Sequence, residues 1–419
     1  MERIRFAVVG LGGYGLVHIN AVRWLAGLGL GKLVGVIALE SDRKQRPDLV
    51  RDLLAEHCTL YGSVDEFIGN AARSADVLTV PIGINMHLPV SASAMRAGLH
   101  VYCEKPAAAT VQDVDALIAA KHETGRTIAI GYQHIYSNSI QQLKSRIAGG
   151  RLGSVRSLSL SCGWPRSETY YGRNEWAGKM RVGADWILDS PANNAHAHYL
   201  LNALYLCSDE KGKADTPSRL RAELYRANRI ESADTVTLHF ATGGGSDVFV
   251  ALTHANMREN GPSMRLECEG GRAYWQSDNG NTLIRYGDGS TEQFDNLVHE
   301  NWRYEGFRDL VTALREGREP LCTPELSRAQ SLTVNAMHES CPAIGVIPDE
   351  FISVTEDWEM FPPGTKGIFH KVRGLDQYVN VAVQEKSFFS EIGVPWAQFV
   401  KSGTLAIGDY NRFPSLTDN

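Results

Sequence analysis

A glycine-rich turn, Gly10-Leu-Gly12-Gly13-Tyr14-Gly15, follows directly on the apolar run Ile4–Val9 and opens a stretch of helical character. Strand, turn and helix in that order turn an otherwise weak G-x-G-x-x-G match into a dinucleotide-binding fingerprint. Gly10 permits the tight turn, Gly12 lets a pyrophosphate approach the backbone, and Gly15 allows close helix packing. The free N–H groups of the first helical turn, around Gly13 and Tyr14, then face the phosphates. The second strand ends at Leu39-Glu40. A carboxylate there accepts both ribose hydroxyls, so Glu40 is the candidate ribose ligand and NAD the expected cofactor. Arg43, three residues on, would instead serve the 2′-phosphate of NADP.

From residue 1 to 131, β-branched runs alternate with helical patterns. Ile4–Val9, Leu33–Leu39, Asp76–Val80, His100–Cys103 and Thr127–Ile130 read as strands, and Leu49–Glu56, Val90–Ala97 and Val111–Thr124 as helices. Such alternation predicts an α/β fold with a doubly wound parallel sheet, a Rossmann domain. After a helix over Ser139–Ile147 the texture changes. Closely spaced strands from Ser154–Gly163 to Thr282–Tyr286 predict a second α/β domain, residues 132–341, with a large, mainly antiparallel sheet. Helices over Ser190–Cys207, Trp302–Arg315 and Pro324–Ser340 are expected to accompany that sheet. Residues 342–419, rich in Pro, Gly and aromatics, form an extension with a helix near Leu375–Phe389.

The balance of 42 Lys+Arg against 48 Asp+Glu gives a net charge of −6, and no basic run occurs. Such a chain has no general attraction for phosphate backbones or anionic lipid, so neither nucleic acid nor a membrane is an expected partner. The longest uncharged stretch, Val77–Met95, holds Pro81, Asn85, His87 and Pro89, which argues against a membrane span. Seven scattered cysteines without a Cys-x-x-Cys spacing give neither a disulfide framework nor a zinc ribbon. No signal peptide precedes the first strand, so a reducing, cytoplasmic setting is expected.

The run Cys103-Glu104-Lys105-Pro106 resembles the Gfo/Idh/MocA family of sugar and inositol oxidoreductases. Supporting it, in order, are the glycine fingerprint, Pro81 with His87, Gly131-Tyr132-Gln133, and Gly149-Gly-Arg-Leu-Gly153-Ser-Val. The resemblance implies a Rossmann domain joined to a substrate domain whose open sheet often forms oligomer interfaces. It further implies that His87, Glu104, Lys105 and Gln133 line the dinucleotide, with an unusual peptide geometry before Pro106, and that Lys105 sits beside the substrate hydroxyl. Alcohol oxidation removes a hydride and a proton, so a polar group must take the proton while the cofactor takes the hydride. A lysine desolvated beside a cationic nicotinamide is suited to that task.

The second half of the family's catalytic pattern, an Asp, a His four residues on and an Asp three later, is altered. Here the stretch reads Asp189-Ser-Pro-Ala-Asn193-Asn194-Ala-His196-Ala-His198. Asp189 matches the first Asp, Asn193 stands at the usual His, and His196 at the second Asp. Asn cannot titrate, so proton transfer falls to Lys105, Asp189, His196 or water. A helix beginning at Ser190 would put Asn193 and His196 on one face towards the substrate and Asn194 and His198 on the next. His198 reads as a packed histidine. His-x-His on a helix does not place both rings on one side, so no metal is expected.

The loop Thr169–Lys179 adds Tyr170, Arg173 and Trp176, aromatic faces and a cation of the kind that hold sugar hydroxyls and carboxylates. Arg173 and Lys179 hint at an acidic sugar. The expected substrate is a sugar, inositol or sugar-derived polyol or acid. Two alternatives stay open: a glycoside-cleaving enzyme that oxidises a sugar transiently with bound NAD, and a non-catalytic dinucleotide-binding sensor. The apolar residues Phe388, Phe389, Trp396 and Phe413 predict that the extension wraps the second domain or a neighbouring subunit, in a homodimer or homotetramer.

Overall fold

The computed structural model describes residues 2–277, 279–296, 300–359, 364–398 and 400–415. The chain forms two compact units. One comprises residues 1–108, 112–136 and 299–328, the other residues 109–111, 137–298 and 329–419.

In the first unit, β1 (Ile4–Val9), β2 (Gly31–Ile37), β3 (Thr59–Tyr61), β4 (Val77–Val80), β5 (His100–Cys103) and β6 (Ile128–Ile130) form one sheet in the order β3-β2-β1-β4-β5-β6. Every neighbouring pair is parallel. The order reverses at β1–β4, the switch point where doubly wound sheets bind dinucleotides. The helix Glu305–Glu316, expected beside the second sheet, packs here instead. Its Phe307, Leu310 and Val311 join Phe6, Val8, Ile19 and Leu25 in one core, and Leu314 packs against it. The spacing 307, 310, 311, 314 is one helical face, and Phe307 stacks on Tyr102 at 3.9 Å. A short strand, β3, has no counterpart among the predicted strands because only three residues pair.

The second unit has a helix over Asn138–Ala148, then β7 (Val155–Gly163) and a small hairpin, β8 (Arg181–Val182) with β9 (Asp185–Trp186). Its main sheet then takes β10 (Pro217–Arg226), β11 (Thr235–Thr242), β12 (Asp247–Thr253), β13 (Asn260–Cys268), β14 (Gly271–Gln276), β15 (Asn281–Tyr286), β16 (Thr291–Asp295) and β17 (Gly345–Val346). The order is β16-β15-β14-β13-β7-β12-β11-β10-β17. Most pairs are antiparallel, while β7–β12 and β10–β17 are parallel. A hairpin of β18 (Ile352–Trp358) and β19 (Lys366–Val372) stands apart, and β20 (Leu405–Ala406) pairs with β10.

The predicted helix from Ser190 starts later, at Ala197, and runs to Cys207. Residues 190–196 form turns instead. Lys144, buried, donates to the carbonyls of Tyr205 and Ser208 at the end of that helix, both at 2.5 Å. There its charge complements the helix dipole. Residues of the extension share a core with the sheet: Leu375, Val379, Phe389, Val394 and Trp396 pack with Tyr225, Phe249 and Ala251. All seven cysteines are buried and free.

Candidate functional site

The glycine-rich turn links β1 to the helix Tyr14–Gly27. Gly10 and Gly13 adopt φ of +91° and +52°, conformations that side-chain-bearing residues rarely take. A Cβ on Gly15 would lie 2.6 Å from the Gly10 carbonyl oxygen, so only glycine lets the helix start this close to the strand. A Cβ on Gly12 would meet the Arg46 guanidinium at 3.2 Å. The bare backbone and the cation above it form the kind of cradle a pyrophosphate fills. Tyr14 opens the helix, about half exposed. β2 ends at Ile37, and Glu40 heads a short surface helix in which it pairs with Lys44 at 2.7 Å. Arg43 Nε donates to the Ala38 carbonyl at 3.0 Å.

After β5, the residues Glu104-Lys105-Pro106 are held from two sides, and the Lys105–Pro106 bond is cis. Glu104 is buried. One oxygen lies 3.1 Å from His18 Nε2 and the other accepts the Lys105 backbone N–H at 3.1 Å. A Cβ on Gly131 would lie 2.7 Å from that carboxylate, which accounts for the glycine in Gly131-Tyr132-Gln133. His87 is buried with Nδ1 2.8 Å from the Pro106 carbonyl and Nε2 3.1 Å from the Ile82 carbonyl. Burial pushes its pKa down, so the ring is neutral and has one proton to donate between the two carbonyls. His87 therefore positions the loop carrying Lys105, which is half-buried. Gln133, buried, places its Nε2 3.5 Å from His134 Nε2. His18 had no sequence signal; its ring stands edge-on to Phe307 at 4.9 Å, inside the core that the late helix completes.

The second unit gathers a polar cluster at the carboxyl ends of β7 and β12. These strands run parallel with Gly163 opposite Thr253, and their pairing continues as Trp164 N donates to Thr253 O and Arg166 N to His254 O, both at 3.0 Å. Residues 88 apart in sequence thus become neighbours, and neither Arg166 nor His254 was singled out from the sequence. His254 Nδ1 lies 2.9 Å from the Trp164 carbonyl, which fixes its proton there and leaves Nε2 as an acceptor. The His196 ring stands 5.0 Å from Trp164 and 4.6 Å from His254. Tyr170 lies 6.1 Å from His254, and Arg173 covers the Tyr170 ring at 3.7 Å and the Trp176 ring at 5.2 Å. Lys179, in contrast, pairs with Glu231 at 2.7 Å.

Asp189 is buried. It accepts the Gly178 N–H at 2.6 Å and the Asn194 amide at 2.8 Å. Leu188, just before it, is held at φ +53°, a strained conformation for a branched residue that turns the chain to aim Asp189. Asn194 also reaches Tyr170 Oη at 3.4 Å. Asn193 departs from the expectation that it faces a substrate. It is fully buried, donates to the Ile187 carbonyl at 3.0 Å and accepts from Gln330 at 3.2 Å, so it ties the turn together internally. The reason is the late helix start: in a turn, 193 and 196 no longer share a helical face. His198 is buried. Among the described residues, no three His, Cys, Asp or Glu side chains come together as a metal site.

Residues 4–132 match the model of the Gfo/Idh/MocA oxidoreductase family, NAD-binding Rossmann fold. This match spans 129 of the 419 residues and shows an NAD-binding Rossmann domain. The first unit carries the glycine cradle of this domain, which fits NAD. The chain is 22% identical over 326 residues to a 4-carboxy-2-hydroxymuconate-6-semialdehyde dehydrogenase of Sphingobium, covering 76% of this chain and 92% of that protein. It is 33% identical over 162 residues to an inositol 2-dehydrogenase of Azotobacter vinelandii, 38% of this chain and 45% of the relative. In fold it resembles the WlbA dehydrogenase of Bordetella pertussis, solved with NADH and UDP-GlcNAcA. The TM-score is 0.66 at 20% identity, over 81% of this chain and 96% of that one. Among the described residues, no helix is long and apolar enough to cross a membrane.

Proposed function

We propose that this chain moves a hydride between a secondary hydroxyl of a sugar, inositol or sugar-derived polyol or acid and a nicotinamide dinucleotide. The observation that carries the reading is the way Glu104 and His87 brace the loop of Lys105 on a domain built to hold NAD. Such bracing makes sense where one polar atom must be held to within a fraction of an ångström. When bound, the dinucleotide supplies two-electron hydride chemistry. Lys105 Nζ, as the amine, takes the hydroxyl proton in oxidation and returns it in reduction. Asp189, fixed by Gly178 and Asn194, and the acceptor Nε2 of His254 orient substrate hydroxyls, with His196 beside them. Asn193 holds the turn that presents Asp189 and takes no proton.

The test is a screen of sugars, inositols, uronates and aryl glycosides with NAD and NADP, following nicotinamide absorbance and released aglycone together. Stoichiometric reduction of the nucleotide is the expected result. Aglycone release without net reduction, or silence in both channels despite dinucleotide binding, would overturn the reading.

A further inference from the structure

The carboxyl ends of β7 and β12 carry a buried guanidinium that forms no salt bridge with a described carboxylate. Arg166 is 5% exposed, and its Nε has no hydrogen-bond partner. The one hydrogen bond of its guanidinium among the described residues runs from Nη1 to the Pro165 carbonyl, at 3.4 Å. No described carboxylate lies within 4.0 Å of it. Glu359 feels its charge without pairing with it: burial raises the pKa of that carboxyl and Arg166 lowers it. A buried cation without a paired anion is costly and persists where something else answers it.

The surroundings indicate what that partner is. Arg166 stands 4.9 Å over the Tyr170 ring and 5.6 Å from Trp164, with Arg173 covering the same Tyr170 ring. Two cations therefore lie against one aromatic ring. Burial, and then the charges of Arg166 and Arg173, hold the His254 pKa well below its usual value, so His254 adds no third charge. The other acids nearby are engaged: Asp189 by Gly178 and Asn194, and Glu168 by His370 at 2.8 Å. A planar fork of donors, a second cation and neutral acceptors beside them match a carboxylate carried on a hydroxylated ring or chain.

We propose that Arg166, with Arg173, binds a carboxylate of the substrate, so that the protein acts on sugar acids rather than neutral sugars. This rests on the oxidoreductase reading above for the reaction, but the carboxylate site is measurable without turnover. The experiment titrates the NAD-loaded protein with D-glucuronate, D-galacturonate and D-gluconate, against D-glucose, D-galactose and D-glucose 6-phosphate, by calorimetry and tryptophan fluorescence.

At least one acid is expected to bind about 50-fold or more tightly than its neutral counterpart, in the range of a charge-assisted bidentate pair. Arg166→Gln is expected to remove most of that difference and Arg166→Lys to keep part of it, each with a cooperative melt. Acids that bind no better than neutral sugars, phosphate binding alone, or undiminished acid binding by Arg166→Gln would overturn the proposal. If the variants fail to fold, the wild-type ratio of acid to neutral binding decides. Acids bound through Arg166 but never oxidised or reduced would leave the carboxylate site standing and refute the reaction. Neutral sugars turned over while no acid binds would do the reverse.

Discussion

Consider replacing Gly15 with Ala. The new methyl would lie 2.6 Å from the Gly10 oxygen, 2.7 Å from its carbonyl carbon and 3.2 Å from its Cα. All three are backbone atoms of the turn, so no rotamer change relieves the contact. Ordinary carbon–carbon contact requires about 0.8 Å more room, and forcing that room costs about 1–3 kcal/mol. Alanine's better helix propensity offsets up to about 1 kcal/mol. Stability should therefore fall by about 0–2 kcal/mol, a shift in Tm of a few degrees. Dinucleotide affinity should suffer more, because the displaced turn carries the N–H groups that meet the pyrophosphate. Losing one hydrogen bond to a charged group costs about 1.5–3 kcal/mol, or ~10- to 100-fold in Kd. The assay is NAD titration by intrinsic fluorescence beside a thermal melt. Unchanged Kd and Tm in Gly15→Ala would refute the idea that this turn is built around the missing side chain.

Three further outcomes follow from the packing and charges. His87→Phe keeps a planar ring but removes the one N–H available to the Pro106 and Ile82 carbonyls, so kcat/KM should fall ~10-fold or more while NAD affinity changes far less; equal losses in both would contradict a positioning role. Trp396→Ala removes a side chain only 5% exposed from the core shared by the extension and the sheet, with an expected loss of about 3–5 kcal/mol in urea unfolding. Arg146 and Tyr286 push the Glu292 pKa down to about 2, below its usual 4.5, so its contribution is present above pH ~4.5 and lost as pH falls towards 2. Stability measured across that window should decline less in Glu292→Gln than in wild type.

Where contacts are local, the sequence was legible. The helix over Val111–Thr124 and the strands Ile4–Val9 and His100–Cys103 are found as predicted, because caps, β-branching and turn residues act within a few positions. Trp302–Arg315 was legible as a helix but not in its destination, since its apolar face fits either sheet until Tyr102 supplies the stacking partner. The late start at Ala197 was hidden because Ser190-Pro191 satisfies every local rule for a helix start. The site divides the same way. The glycine turn and Glu104-Lys105-Pro106 are contiguous motifs, whereas Arg166 and His254 meet only because β7 and β12 pair in parallel. Glu40 was read as the end of the second strand, but β2 stops at Ile37 and leaves that carboxylate at the surface with Lys44.

The most direct test of the account is Lys105→Met on the best substrate from the screen, with NAD binding measured in the same preparation. A fall in kcat of ~100-fold or more with NAD affinity within about threefold of wild type is the predicted result, as expected for loss of a proton-transfer group. Undiminished turnover in Lys105→Met would contradict it.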